Sequence, residues 1–415
     1  MSNTILTHSM IAERALFDLH NNLVMAKNVY KGYNSEFNSV GRFKKGASVA
    51  IQLPNKFRAK TAVTRDPVDH LERSTTVTVD TQQHVSWDFT ERELTLSIED
   101  FSRKYINPAT IALADKVDSD GAAEYKNIYN SVGTPGTTPS TFKVLADAAE
   151  RLANESVPQE RWVGAWSPRA AWSLADGELK SIFNPAIVEQ MVRRGFMGMF
   201  AQTDHYMTQS MTAHTTGLWN TGSTGVMNGA TAEGATSLVT NGWANSTAIL
   251  KKGDVITIAG VYGCNPVSGK VWENNQLRQF TVTADVTSSA AGAATIPVSP
   301  PIYSSAASET YLPYQTVVTL PANGAAITVL GTESSAYMQN MIFHPDAFAL
   351  TMVPFARPKS AGKSVMWAQA SDDQLGLSIT IATAFDIDAY SEATRLDILY
   401  GWDTIQSNYA VRVFG

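Results

Sequence analysis

The 114 residues from Trp219 to Thr332 carry nine charged side chains, while the other 301 residues carry 61. The nine are Lys251, Lys252, Lys270, Arg278, Glu233, Asp254, Glu273, Asp285 and Glu309. No other feature limits the fold of this 415-residue chain so much. The segment is rich in Gly, Ala, Ser, Thr, Val and Asn, and its apolar residues come in short alternating runs. These are Asp254-Val-Ile-Thr-Ile-Ala-Gly-Val, Gln279-Phe-Thr-Val-Thr-Ala, Ala294-Thr-Ile-Pro-Val and Thr316-Val-Val-Thr-Leu. Period-two runs separated by turn clusters at a spacing of about 8–12 residues specify a small barrel or sandwich. Residues 219–332 therefore read as an inserted all-β domain, interrupting an α/β host that completes itself near the C-terminus.

The host is legible on both sides. Ile11, Ala15, Leu16, Leu19, Leu23, Val24 and Met25 fall at spacings of three and four, which predicts a helix over 10–30, stopped by Gly32. Its single apolar face needs cover, which another subunit can supply. Ala47-Ser-Val-Ala-Ile-Gln-Leu, Thr75-Thr-Val-Thr-Val-Asp, His84-Val-Ser-Trp-Asp-Phe and Leu94-Thr-Leu-Ser-Ile alternate as strands. Between the first two lies a polar stretch with Lys56, Arg58, Lys60, Arg65, Asp66, Asp69, Glu72 and Arg73. A two-stranded excursion of this kind has no core of its own and leans on a neighbour. Asn107-Pro108 opens a long helix over 107–131, in which Gly121 is an interior break in propensity. A second helix is expected at 139–155, a buried strand at Trp162-Val-Gly-Ala-Trp, and a helix capped by Ser167 before Pro168. Met338-Gln-Asn-Met-Ile-Phe-His-Pro-Asp-Ala-Phe reads as strand, turn and helix, and three further strands follow: Ser378 to Asp386, Arg395 to Trp402, and Tyr409 to Gly415.

Chemistry-bearing motifs are near misses. Gly260-Val-Tyr-Gly-Cys-Asn-Pro-Val-Ser-Gly-Lys has Cys264 where a phosphate loop needs its first glycine and Val271 where it needs a hydroxyl residue, so a hairpin turn is the better reading. His205 and His214, with Asp204, have no metal-ligand spacing. Cys264 is the single cysteine, with no His or Lys beside it to activate it, and it precludes an intrachain disulfide. Asp372-Asp373 and Glu99-Asp100 read as solvated carboxylates, and the nine tryptophans are scattered as core anchors. Neither catalytic, metal nor cofactor residues are assigned. With 32 basic and 38 acidic side chains the net charge is −6, which disfavours a dedicated nucleic-acid binder. No secretory signal and no apolar run long enough to span a membrane is read from the sequence, which points to synthesis in a cytoplasm.

The order of parts is an amphipathic leader, a charged β-arm, a long helix, an α/β body, an inserted β domain and return strands. It resembles the major capsid proteins of tailed bacteriophages, the Hong Kong ninety-seven coat fold, and among them the P-twenty-two-type subgroup with an inserted β-barrel. Leu250-Lys-Lys-Gly-Asp-Val-Ile-Thr-Ile-Ala-Gly-Val is similar to the start of that barrel, and Leu399-Tyr-Gly-Trp to the closing strand. One departure is plain: relatives carry a charged loop in the insertion, whereas Trp219 to Thr247 holds Glu233 alone.

The resemblance implies an α+β capsid fold with an N-terminal arm (1–39), an extended loop (40–100), peripheral and axial parts (101–218), an inserted barrel (219–332) and a completion (333–415). It implies no enzyme and no cofactor. It implies hexamers and pentamers of an icosahedral head around double-stranded DNA touched only non-specifically, with scaffolding, portal and decoration proteins as partners. The candidate inter-subunit contacts are Lys56, Arg58, Lys60, Arg65, Asp66, Asp69, Glu72 and Arg73 on the arm, and Leu16, Leu19 and Leu23 on the leader helix. The rival readings are a tail-tube or adaptor subunit, a β-rich carbohydrate-binding module, and a β-rich enzyme.

Overall fold

A computed structural model describes residues 8–32, 47–61, 64, 67, 69, 71–89, 102–176, 198–200, 202–219, 224–355, 365–372, 376–386 and 391–415. The expected strand Leu94 to Ile98, the pair Glu99-Asp100, and Arg65, Asp66 and Asp373 lie outside the described residues. Two compact units emerge. One draws on Met1–Ile51, Thr75–Ala122 and Phe348–Ile405, the other on Gln52–Ser74, Ala123–Ala347 and Gln406–Gly415.

The first unit is organised by the 14-residue strand Ser391–Thr404. Along its length it pairs antiparallel with Leu377–Asp386, Thr81–Phe89 and Phe348–Met352. Val365–Asp372 extends the sheet beyond Leu377–Asp386. Helix α1 (His8–Asn22) lies against these last two strands and against α2 (Asn107–Ala122). Ile11, Ala15 and Leu19, one turn apart, are buried there, as is Ala12. Its own chain thus covers this part of the leader's apolar face, while Met10 and Phe17 stay exposed.

The helix also ends at Asn22, not near residue 30. The carboxylate of Asp118 on α2 accepts the backbone N–H groups of Val24 (2.7 Å), Met25 (3.2 Å) and Ala26 (2.8 Å). Those donors would need intrahelical carbonyls if the helix continued, so the buried acceptor turns the chain instead. Leu23 and Met25 remain buried after the turn, which is why the helical periodicity runs on past the helix. Helix α2 is preceded by a π-helical turn, Ser102–Ile106, and followed by a 3-10 turn, Ala123–Asn127, so it is shorter than the expected 107–131.

In the second unit a seven-stranded sheet runs Ser131–Val132, Ala410–Phe414, Ala336–Phe343, Trp162–Trp166, Thr203–Met207, Gly198–Phe200, with Ala213–Thr215 paired farther along Ala336–Phe343. Helices α3 (Phe142–Asn154) and α4 (Pro168–Asp176) share its core through Leu145, Leu152, Trp166 and Leu174. The Ser167 hydroxyl faces the Ala170 amide at 3.4 Å at the start of α4, where the Ser-Pro pair predicts a capped end. After Phe343 a 3-10 turn, Pro345–Ala347, leads into the strand Phe348–Met352, not into a helix.

The low-charge segment forms a six-stranded sheet in the order Ile327–Val329, Val255–Tyr262, Leu277–Val282, Ala294–Ile302, Ala235–Asn241, Val226–Met227. The sheet nearly closes on itself: Met227 N donates to Ala325 O and Ile327 N to Gly225 O, both at 2.9 Å. Leu238, Ile256, Ile258, Phe280, Val282, Ile296 and Ile302 fill the interior. Thr316 to Leu320 is not a strand; only Val317 makes a bridge there, to Gly263. Gly260 to Lys270 includes a tight hairpin turn, with Asn265 N donating to Lys270 O at 2.8 Å.

Candidate interaction surface

The arm leaves the strand Ala47–Leu53 and returns in Arg73–Val79. Among its described residues from Pro54 to Glu72 no strand forms. Both roots rest on the six-stranded body of the second unit. The Tyr314 hydroxyl donates to Leu71 O at 3.0 Å and receives the Lys56 amide at 3.5 Å. The Arg73 guanidinium lies over the Tyr314 ring, 5.3 Å from its centroid. Arg58 Nη2 donates to Gln315 Oε1 at 3.1 Å and to Pro266 O at 3.3 Å. Lys60 pairs with Glu309 at 2.8 Å in an exposed contact, of a kind worth about 0–1 kcal/mol. A cavity of about 240 Å³ lies between Lys56, Arg58, Lys60, Asp69, Glu309 and Leu312. Phe57 beside it is 73% exposed, an unusual position for a large apolar side chain.

The predicted contact residues therefore divide. Lys56, Arg58, Lys60 and Arg73 find partners on their own chain, although the sequence places their complements on a neighbour. Asp69 and Glu72 are exposed, whereas Leu16 is half-buried and Leu19 and Leu23 are buried. Their complements, Glu309, Tyr314 and Gln315, were not legible as such. The usable signal was Thr310-Tyr-Leu-Pro-Tyr-Gln, an aromatic pair around a proline in an otherwise small-residue segment.

Behind the arm lies a buried polar seam. Arg278, the one arginine of the inserted segment, is ion-paired to Glu155 beyond the end of α3. Its guanidinium sits 4.7 Å from the Tyr129 ring centroid and 5.1 Å from that of Trp272. Arg151 stacks on Trp272 at 4.6 Å. Burial works to lower the Arg278 pKa, but Glu155 and Tyr129 outweigh it and hold the group above the usual arginine value. Arg151, buried beside Arg278, is pushed down to about 10. Lys56 is held below the usual lysine range by burial, against the attraction of Glu155 and with Arg73 and Arg278 adding to the shift.

Farther along the seam, His214 binds Asp254 at 2.8 Å through Nε2 and faces the Tyr125 hydroxyl at 3.0 Å through Nδ1. Asp254 also accepts the amides of Lys251 (2.7 Å) and Gly217 (3.1 Å). Arg412 donates to Gly253 O at 2.8 Å. His205 is elsewhere, accepting the Trp166 indole N–H at 2.8 Å, so the two histidines do not share a site. Among the described residues no three His, Cys, Asp or Glu side chains could jointly hold a metal ion. Cys264 is buried, and burial pushes its thiol up to about 11. Glu233 bonds the Ser304 amide at 2.8 Å and its hydroxyl, so the lone charge of 219–247 serves the body itself. No helix among the described residues is long and apolar enough to cross a membrane.

These charged groups hold loops and strands together; none converges on a reaction centre. No curated protein matches the chain. Among solved structures it is similar to a chain of Mycobacterium phage Che8, with a TM-score of 0.45 and 12% identity over 94% of this chain and 90% of that one. It is also similar to the capsid of Ralstonia phage GP4 (TM-score 0.41, 8% identity, 89% and 84% covered). A third likeness is to a virus-like particle from Pyrococcus furiosus (TM-score 0.39, 9% identity, 97% of both chains). The family model described as P22 coat protein, gene protein 5, matches residues 2–415, and the chain belongs to that family.

Proposed function

We propose that this chain is the major capsid protein of a tailed double-stranded DNA bacteriophage and works by repetition rather than by reaction. The observation that carries this is the family match from residue 2 to residue 415, which takes in leader, arm, long helix, six-stranded body and return strands together. A coat subunit is a structural component of the virion, not an enzyme, and it assembles into an oligomeric shell. Identical copies making heterologous contacts close into rings of six and five, and these into an icosahedral head.

Several finer points belong to the same reading. The arm beyond Lys60, through Arg65 and Asp66 to Asp69, meets the adjacent copy. Many weak polar contacts there set register more than strength. The six-stranded body is the family's inserted barrel, spanning 219–332. Assembly takes place in the host cytoplasm with a scaffolding protein and a portal, and a decoration protein can follow. A net charge of −6 suits a wall that must release packaged DNA.

The test is expression of the chain alone and with the scaffolding protein encoded beside it. Sedimentation and negative-stain imaging should show shells or polyheads. A chain that stays monomeric at all concentrations and with scaffold present would sink the reading.

A further inference from the structure

The arm starts from a two-stranded ladder, Ala47–Leu53 with Arg73–Val79, but among its described residues from Pro54 to Glu72 it is fixed by side chains of the body, with no strand. Beyond that ladder, two facing limbs with no strand pairing have little means of setting their own separation. Tyr314 supplies one: its hydroxyl touches Lys56 on the outgoing limb and Leu71 on the returning limb, and its ring carries Arg73. The ring is 8% exposed at the end of the 3-10 turn Leu312–Tyr314, so the hydroxyl is a fixed point. Arg58 supplies a second. Its guanidinium is held between Gln315 and the turn at Pro266, and Gly269 approaches it so closely that a Cβ there would fall 2.8 Å from Nη2.

We propose that the six-stranded body is the arm's holder, with Tyr314 and Arg58 as positioning residues that fix the spacing and exit direction of the two limbs within one chain, before a second copy is met. The arm is then presented already ordered, and less conformational freedom is lost at the moment of association. The consequence for assembly rests on the coat-protein reading; the holding itself does not.

The experiment uses the unassembled full-length chain. Tyr314→Phe removes the hydroxyl and keeps the ring under Arg73. Exchange of the Lys56 amide and tryptic cleavage after Lys56 and Lys60 should both accelerate, by roughly five- to tenfold, as expected for losing bonds of ordinary strength. Amides of Leu277–Val282 should keep their wild-type protection, showing that the body is intact. Arg58→Gln, on the arm and outside the body's core, should loosen the same segment even if Tyr314→Phe impairs folding. In assembly, both variants should give fewer closed shells and a wider spread of diameters. Unchanged exchange and cleavage in both variants overturns the holder. Loosened limbs with shells of wild-type yield and diameter overturn its role in assembly. Failure of the wild-type chain to form shells counts against the coat reading, while the exchange result still decides the holder.

Discussion

Replacing Glu155 by Gln strands a buried guanidinium. Glu155 is 4% exposed and Arg278 1%, and the pair is joined by a direct ion pair. The substitution keeps shape and hydrogen-bonding capacity but removes the anion, while Lys56 and Arg151 leave further positive charge in the cluster. Breaking one side of a buried pair costs roughly 3–5 kcal/mol. The Tyr129 and Trp272 faces still attract the cation, each by about 0.5–2 kcal/mol, which favours the lower end of that range. With a loss of about 3 kcal/mol and about 2–4 °C per kcal/mol for a unit of this size, Tm should fall by roughly 6–12 °C. The assay is thermal unfolding of the unassembled chain at neutral pH, followed by circular dichroism. The double variant Arg278→Met/Glu155→Gln removes the stranded charge and should recover most of the loss. If Glu155→Gln melts within about 2 °C of wild type, or the double variant is no better than the single, the stranded-charge reasoning is refuted.

Gly121→Ala should destabilise by about 1–3 kcal/mol despite raising helix propensity, because the new Cβ would sit 2.5 Å from Trp402 Cζ2; urea titration followed by tryptophan fluorescence measures it. Burial pushes the Lys31 ammonium down to about 8, with Asp118 opposing. Between that pH and the usual lysine value of about 10.4, the unfolded chain therefore binds more protons than the folded one, and stability rises with pH. Lys31→Met should accordingly stabilise the chain by up to about 3 kcal/mol at pH 7 and lose that advantage by about pH 10, as read from paired melts. Cys264, buried and with its thiol pushed up to about 11, should resist iodoacetamide at about pH 8 in the folded chain and label fully in denaturant.

Strands and turns were the legible part of this fold. Ala47–Leu53 and Trp162–Trp166 fall where their alternating or apolar runs place them, because a run between turn residues has one cheap local conformation. Helix ends were less legible. The leader helix stops where a carboxylate 96 positions from Asn22 captures its next three amides, and no local pattern encodes that. Gly121 reads as a defect in a helix, yet it is the space that lets the Trp402 ring reach Val117 O at 3.0 Å.

Low charge density set apart the segment 219–332 and its short alternating runs gave it β character, since few ionisable side chains and many β-branched ones fit a two-faced pleated surface around an apolar interior. Sequence also supplied the polar arm and the amphipathic leader as parts. Which surface each part meets is a matter of tertiary structure. Lys60 finds Glu309, Leu71 finds Tyr314 and Glu155 finds Arg278, in each case across more than a hundred residues of chain. Periodicity reports which side of an element seeks cover; only the folded chain decides what provides it, because Coulomb attraction and hydrogen bonding act over a few ångströms and are indifferent to distance along the backbone.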